Sequence, residues 1–154
     1  REESDTDHDI VLTEADIDNL KRSKGAIYAT TMMLLKRLGL GFDDVKKFYV
    51  AGGFGTYLDM EKAICIGLLP DIDREKFRFI GNSSLAGARE IIFSYEAELK
   101  AEEIAKKMTY IELSAEPLYM EEYISSLFFP HTDPSHFPSV WNIASSAHSA
   151  STPP

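Results

Sequence analysis

An α/β layer fold is what this sequence predicts, and three observations carry the expectation. Stretches whose apolar residues recur at threes and fours alternate with short apolar runs rich in aromatic and β-branched side chains. Two of those runs, Phe48 to Ala51 and Phe77 to Ile80, stop at glycine, Gly52 and Gly81, where the chain turns toward a helix. The third is size: 154 residues with 44% hydrophobic content make one ordinary domain with a core of its own.

Taken in order, residues 1–12 read as an acidic lead-in with at most one strand at Ile10 to Leu12. Thr13 stands where an N-cap belongs, and Glu14 and Asp16 suit the positive end of a helix dipole. The helix beginning there carries Ile17, Leu20, Ile27, Tyr28, Leu34, Leu35 and Leu38 on one stripe, and Gly39 with Gly41 supply its stop. Phe48 to Ala51 read as a buried strand, Asp59 as the cap of a helix reaching about Leu69, and Pro70 as its terminator. After the strand Phe77 to Ile80, Ser83 or Ser84 opens a helical region to about Met108, broken near Tyr95 to Ala97 where apolar residues give way to charge. Tyr110 to Leu113 suggest a third strand, and Pro117 opens an amphipathic helix to about Phe128. From Pro130 onward the chain holds five of its seven prolines and a Ser/Ala/Thr-rich end, the composition of a loop passing into disorder.

Composition excludes several functions. With 25 acidic residues against 16 basic ones the chain carries a formal charge of -9, the wrong sign for nucleic acid or an anionic membrane surface. No apolar run approaches the roughly 20 residues that span a bilayer. Cys65 is the single cysteine. An intrachain disulfide is therefore impossible, and so is a protein-held iron-sulfur cluster, which takes about four thiolates. These features fit a cytoplasmic protein. The opening on Arg1 instead of methionine reads as an excised piece.

Gly52-Gly53-Phe54-Gly55 is the feature most suited to a ligand, because three glycines in four residues let another molecule lie against the backbone. The turn lacks the Gly-Lys-Ser/Thr of a Walker loop and the spacing of a dinucleotide fingerprint. Lys24 interrupts the apolar stripe beside Gly25, and a lysine there must snorkel out, find a carboxylate or line a cleft. Asn82, after Gly81, suits a helix cap better than a ligand contact, and the small residues from Ser83 to Ala88 permit close helix packing or a hinge. His131, Thr132, Asp133 and His136 resemble a ligand spray, but the prolines at 130, 134 and 138 are expected to keep them extended and unable to hold a metal. Cys65 reads as a core residue, and Glu121 with Glu122 as a solvated face.

Leu12-Thr-Glu-Ala-Asp-Ile17, Ser23-Lys-Gly-Ala-Ile27, Val50-Ala-Gly-Gly-Phe-Gly55, Ile66-Gly-Leu-Leu-Pro-Asp71, Ile80-Gly-Asn-Ser-Ser-Leu-Ala-Gly-Ala88, Ile111-Glu-Leu-Ser114 and Phe129-Pro-His-Thr-Asp133 stand in one order and spacing. Over about Ile10 to Val140 they resemble the C-terminal part of the ATP-dependent reductive activators of corrinoid proteins. The resemblance implies the second lobe of an actin- and sugar-kinase-like (ribonuclease H-like) ATPase domain, spanning 13–129 here, with 130–154 as an extended tail. It implies that Gly52, Gly53, Phe54 and Gly55 form an adenosine-side turn, that Gly81 and Asn82 lead a second connecting helix through Ala88, and that Lys24 contacts purine or ribose. ATP with Mg²⁺ would be shared with a first lobe absent from this chain, and a [2Fe-2S] cluster would belong to an absent N-terminal domain. The implied activity is return of a Co(II) corrinoid protein, or corrinoid methyltransferase system, to Co(I). Two alternatives stand beside it: a dimerisation or docking module, as a homodimer or on a corrinoid protein, and a lobe of an unrelated kinase of the same superfamily.

Overall fold

The structure is a computed structural model that describes residues 11–142. Its first element is the helix α1 (Glu14–Arg37), which begins with a capping box: Thr13 Oγ1 accepts from the Asp16 amide at 3.3 Å while the Asp16 carboxylate accepts from the Thr13 amide at 2.9 Å. Leu38 closes the helix and Gly39, at φ 68°, turns the chain away, as the sequence leads one to expect. Strand β1 (Phe48–Ala51) comes next, then the single turn α2 (Phe54–Tyr57) and the short helix α3 (Met60–Cys65), capped by Asp59 Oδ1 on the Lys62 amide at 3.1 Å. Strand β2 (Phe77–Gly81) leads into α4 (Ser83–Phe93) and α5 (Tyr95–Lys107), and α6 (Tyr119–Ser125) comes last.

The two strands form a parallel pair in which Phe48 faces Phe77, Tyr49 faces Arg78 and Val50 faces Phe79, with an irregularity before Ala51 meets Gly81. Parallel pairing requires a crossover, and the segment holding α2 and α3 supplies it. Phe48 and Phe77 also pack ring against ring at 5.4 Å. The core lies between α1, β1, the α3 turn and the 130–137 segment; it is built from Tyr28, Val50, Ala63, Ile64, Leu68, Leu69, Ile72, Phe77 and Phe137.

Several elements differ from expectation for identifiable reasons. Of the stripe expected on helix α1, Tyr28 is buried and Leu35 half-buried, whereas Ile17, Leu20, Ile27, Leu34 and Leu38 are exposed; beside Tyr28 the helix buries Lys24, Gly25, Ala29 and Met33. Small residues at 25 and 29 let the chain approach closely there, so packing follows shape over hydrophobicity. Strand β1 buries only Val50 of its four residues. Helix α3 ends at Cys65, short of Leu69, because Gly67 takes φ 76° and presses its bare Cα against the Pro130 carbonyl. Cys65 is exposed, outside the core.

The expected break in the long helical region falls at Ser94, whose hydroxyl accepts from the Ala97 amide at 3.2 Å and so starts α5 afresh. Tyr110 to Leu113 form no strand; a 3-10 turn covers Leu113–Ala115 instead. Val11 and Leu12 are likewise outside any strand, and Ile10 lies outside the described residues.

The largest departure is the segment after Pro130. It is no loose tail: Pro130 and His131 are buried and Phe137 is completely enclosed, its ring 5.2 Å from that of Tyr28. Asp71 fastens the stretch just beyond Phe137. One carboxylate oxygen accepts the Ser139 amide at 2.7 Å, and the other accepts the Ser139 hydroxyl at 2.7 Å and Arg74 Nη1 at 2.6 Å. Residues 143–154 lie outside the described residues.

Two outcomes test this packing. Gly67→Ala puts a Cβ into the Pro130 carbonyl at a left-handed φ, and is expected to lower stability by about 3 kcal/mol or more in a denaturant titration followed by circular dichroism. Burial alone would raise the Asp71 pKa, but Arg74 and Ser139 more than offset it and hold the carboxyl below its ordinary value. A depressed carboxylate stabilises the fold above the unfolded pKa near 3.8 and loses that contribution as pH falls through the folded value. Asp71→Asn is therefore expected to lower the melting temperature at pH 7 and to flatten its decline below about pH 4.

Candidate functional site

Parallel pairing brings the carboxyl ends of β1 and β2 to one edge, and with them both glycine turns. The Gly52 amide donates to the Gly81 carbonyl at 2.6 Å, so the turns are directly side by side. Gly52 (φ 78°) and Gly81 (φ 61°) need glycine for their backbone conformation. Gly53 does not: its φ is not left-handed, and a Cβ placed there meets nothing within 4 Å. Phe54 and Gly55 continue the edge as the start of α2. Asn82 caps α4 through Oδ1 on the Leu85 amide at 3.0 Å, which points that helix's N-terminus at the same edge. Gly87 on α4 likewise has open space where its Cβ would be.

Lys24 is not on this edge. Its side chain is fully enclosed, and its ammonium meets none of the three fates open to it in the sequence: it donates to the backbone carbonyls of Phe128 and, at 2.7 Å, of Pro130. The Phe129 ring lies 5.4 Å away, contributing a cation–π attraction. Burial pulls the lysine pKa down to about 8, so the ammonium keeps its proton at neutral pH. One residue on, Gly25 allows α6 to approach, with the Ser126 carbonyl 3.2 Å from where a Cβ would sit. Lys24 and Gly25 thus position the 126–130 segment, and the Phe129–Pro130 peptide bond is cis.

A second cluster was only partly legible in the sequence, which offered His131 and His136 as a ligand spray but not Glu122. Residues 134–136 fold into a 3-10 turn capped by Asp133 where an extended chain was expected, and this brings the rings of His131 and His136 to 4.5 Å. Glu122, expected on a solvated face, is 9% exposed and faces them from α6. Its Oε2 accepts from Lys36 Nζ at 2.9 Å, and its Oε1 stands 3.3 Å from His131 Nε2. His131 and Lys36 together outweigh burial and hold the Glu122 pKa at about 2. Tyr28 OH reaches His136 Nδ1 at 3.3 Å. The spacing pointed to the two histidines, but not to Glu122, Lys36 or Tyr28, which come from helices α6 and α1.

Two parallel strands ending in adjacent glycine turns, each followed by a helix, define part of a mixed α/β domain with both turns at the strand carboxyl ends. The family model for the C-terminal domain of RACo, the ASKHA domain, matches residues 1–141, and the chain belongs to this family. The corrinoid activation enzyme RamQ of Eubacterium limosum is 34% identical over 121 residues, 79% of this chain and 20% of that protein. The [Co(II) methylated amine-specific corrinoid protein] reductase of Methanosarcina barkeri is 36% identical over 100 residues, 65% of this chain and 18% of the relative. A solved structure of a reductive activator for corrinoid, iron-sulfur protein superposes with TM-score 0.82 at 52% identity, covering 86% of this chain and 21% of the other. The chain therefore spans about a fifth of the length of the relatives it matches.

Replacing Lys24 by Met preserves length and removes the donor from two buried carbonyls. A loss of about 3 kcal/mol in unfolding free energy is expected, and Lys24→Arg, whose planar fork does not fit the same space, should not restore it. Urea titration of the three proteins checks both statements.

Proposed function

We propose that this chain is the adenosine-side lobe of an ATP-dependent reductive activator, one that returns Co(II) corrinoid proteins to Co(I). The observation that carries the reading is Gly53. A glycine costs up to about 1 kcal/mol of chain entropy, and here neither backbone conformation nor packing within the chain calls for one. The space its missing side chain leaves is open toward the outside of the lobe. A flat ligand pressed against the turn gives that space a use, and the family membership makes the nucleotide of an ASKHA domain the natural occupant.

Within this reading the backbone of Gly52, Gly53, Phe54 and Gly55 lies against the adenosine, while Gly81 and Asn82 bring the N-terminus of α4 beside it. Lys24 acts at a distance, by holding the segment that packs beneath. ATP with Mg²⁺ is shared with a first lobe that this chain does not contain. Bound ATP supplies the energy for an otherwise unfavourable electron transfer, and this lobe's own part is to bind and orient the purine end.

A [2Fe-2S] cluster does not fit the residues present, since Cys65 is the single thiol and four ligands are needed. The electron donor therefore belongs to another part of the parent protein. The partner is a corrinoid protein or its methyltransferase system. No helix among the described residues is long and apolar enough to cross a membrane.

Helices α4 and α5 support the lobe reading, because neither buries a single residue within the described chain, and Leu85, Ile92, Phe93 and Tyr95 stand exposed. An apolar surface of this kind fits a chain that packs against further parts of its parent. It equally suits the docking or homodimer alternative, which a strictly monomeric isolated chain that fails to bind corrinoid protein would remove.

The direct test is ATP titration of the whole activator carrying Gly53→Asp. An acidic side chain at an unoccupied position should leave the melting temperature within a few degrees of the parent. ATP affinity is expected to fall at least ~100-fold through steric exclusion and charge repulsion, about 2.7 kcal/mol or more. Unchanged affinity removes the site.

A further inference from the structure

We propose that Glu122, His131 and His136 form a binding site for a divalent transition metal ion of the zinc class. Each residue offers one ligand atom, and the three atoms lie within 4.8 Å of one another, a separation that one ion can bridge. Two imidazoles and one carboxylate are the donor set that zinc and its neighbours take, with further positions left to water. The group borders a cleft of about 330 Å³, which leaves room for that water and a route in.

Burial supplies the second observation. Glu122 Oε1 and His131 Nε2 are both enclosed and both lack a well-aligned hydrogen-bond partner, although they face each other at 3.3 Å. His131 is 5% exposed and Glu122 9%. Orphaned buried polar atoms are rare in folded proteins, and two aimed into the same space point to a missing third party. Lys36 occupies the other oxygen of Glu122, which leaves Oε1 as the ligand. Glu121 and Asp133 line the same cleft and counter the positive charge that Lys36 brings.

The surroundings also orient the rings. Tyr28 OH engages His136 Nδ1 at 3.3 Å, the kind of outer contact that fixes a metal-bound imidazole. His131 Nδ1 accepts the Asp133 amide at 2.9 Å, which puts the ring proton on Nε2 in the metal-free state. Metal binding through Nε2 requires the other neutral tautomer, reached by proton exchange with solvent and with no net loss of a proton. A neutral ring then carries its proton on Nδ1, and the Asp133 amide gives up its contact, a loss of one neutral hydrogen bond against a coordination bond gained.

The site sits on the segment that the Lys24 clamp holds, with Glu122 on α6, so a bound ion would pin the 130–137 segment to α6. It is independent of the nucleotide proposal, since its ligands are not on the strand edge.

Titration of the tag-free 154-residue chain with Co²⁺, read by visible absorption, tests it. The expected result is saturation at one equivalent with the intense d–d bands of four- or five-coordinate Co²⁺, bleached by Zn²⁺. His131→Gln, His136→Gln and Glu122→Gln are each expected to weaken binding by about a hundredfold or more, with far-UV circular dichroism confirming that the metal-free variants are folded. X-ray absorption of the Zn²⁺-loaded wild-type chain reads the imidazole ligands without any substitution. Aqua-ion spectra at one equivalent, or absorption edges without imidazole scattering, overturn the proposal, as does unchanged affinity in folded His131 and His136 variants.

Discussion

A buried ammonium without a carboxylate is the constraint on which this structure depends. Lys24 gives up its water and is compensated by two backbone carbonyls from residues more than a hundred positions away. Charged hydrogen bonds are worth about 1.5–3 kcal/mol each, enough to offset much of a desolvation cost of several kcal/mol but only while both are made. The interaction therefore fixes the path of the chain at 128–130. Everything packed on that path inherits the requirement: Gly67 must be bare where it meets Pro130, Gly25 must be bare where it meets Ser126, and Phe137 enters the core only because the segment before it is held.

The clamp and the glycine edge stand in a clear physical relation. Helix α1 supplies Lys24 on one turn and Tyr28 on the next; Tyr28 joins the core that also contains Val50 of β1 and Phe77 of β2. The strands are thereby seated on a rigid support, and their carboxyl ends, where Gly52 and Gly81 meet, need no packing of their own. That division of labour suits a binding edge, because residues with open space around them can accept a ligand without disturbing the core.

Much of this was readable in the sequence where the signals are local. Thr13 with Asp16, Asp59 and Asn82 are caps whose side chains compete for the next turn's amides, so these helix starts are written in a few residues. The strand-glycine turns are equally local. What was not legible is long-range. The apolar stripe of α1 promised burial for Ile17, Leu20 and Leu34, yet the helix buries the face of Lys24, Gly25 and Tyr28, which meets the backbone of the 126–130 segment and the core around Phe137. Five prolines after residue 129 suggested a loose tail, whereas proline also stiffens a segment that is to be buried. Spacing picked out the two histidines, but Glu122 meets them only after α6 and the 130–137 segment have docked, so no spacing rule could add it.

Whether the adjacent glycine turns face a nucleotide while the clamp supports them from beneath is tested most directly by amide hydrogen exchange on the whole activator with and without ATP and Mg²⁺. ATP-dependent protection is expected at the amides of residues 52–57 and 81–86, with exchange at 128–137 slow in both states. Protection absent from both turns, or confined to the 128–137 segment, would contradict it.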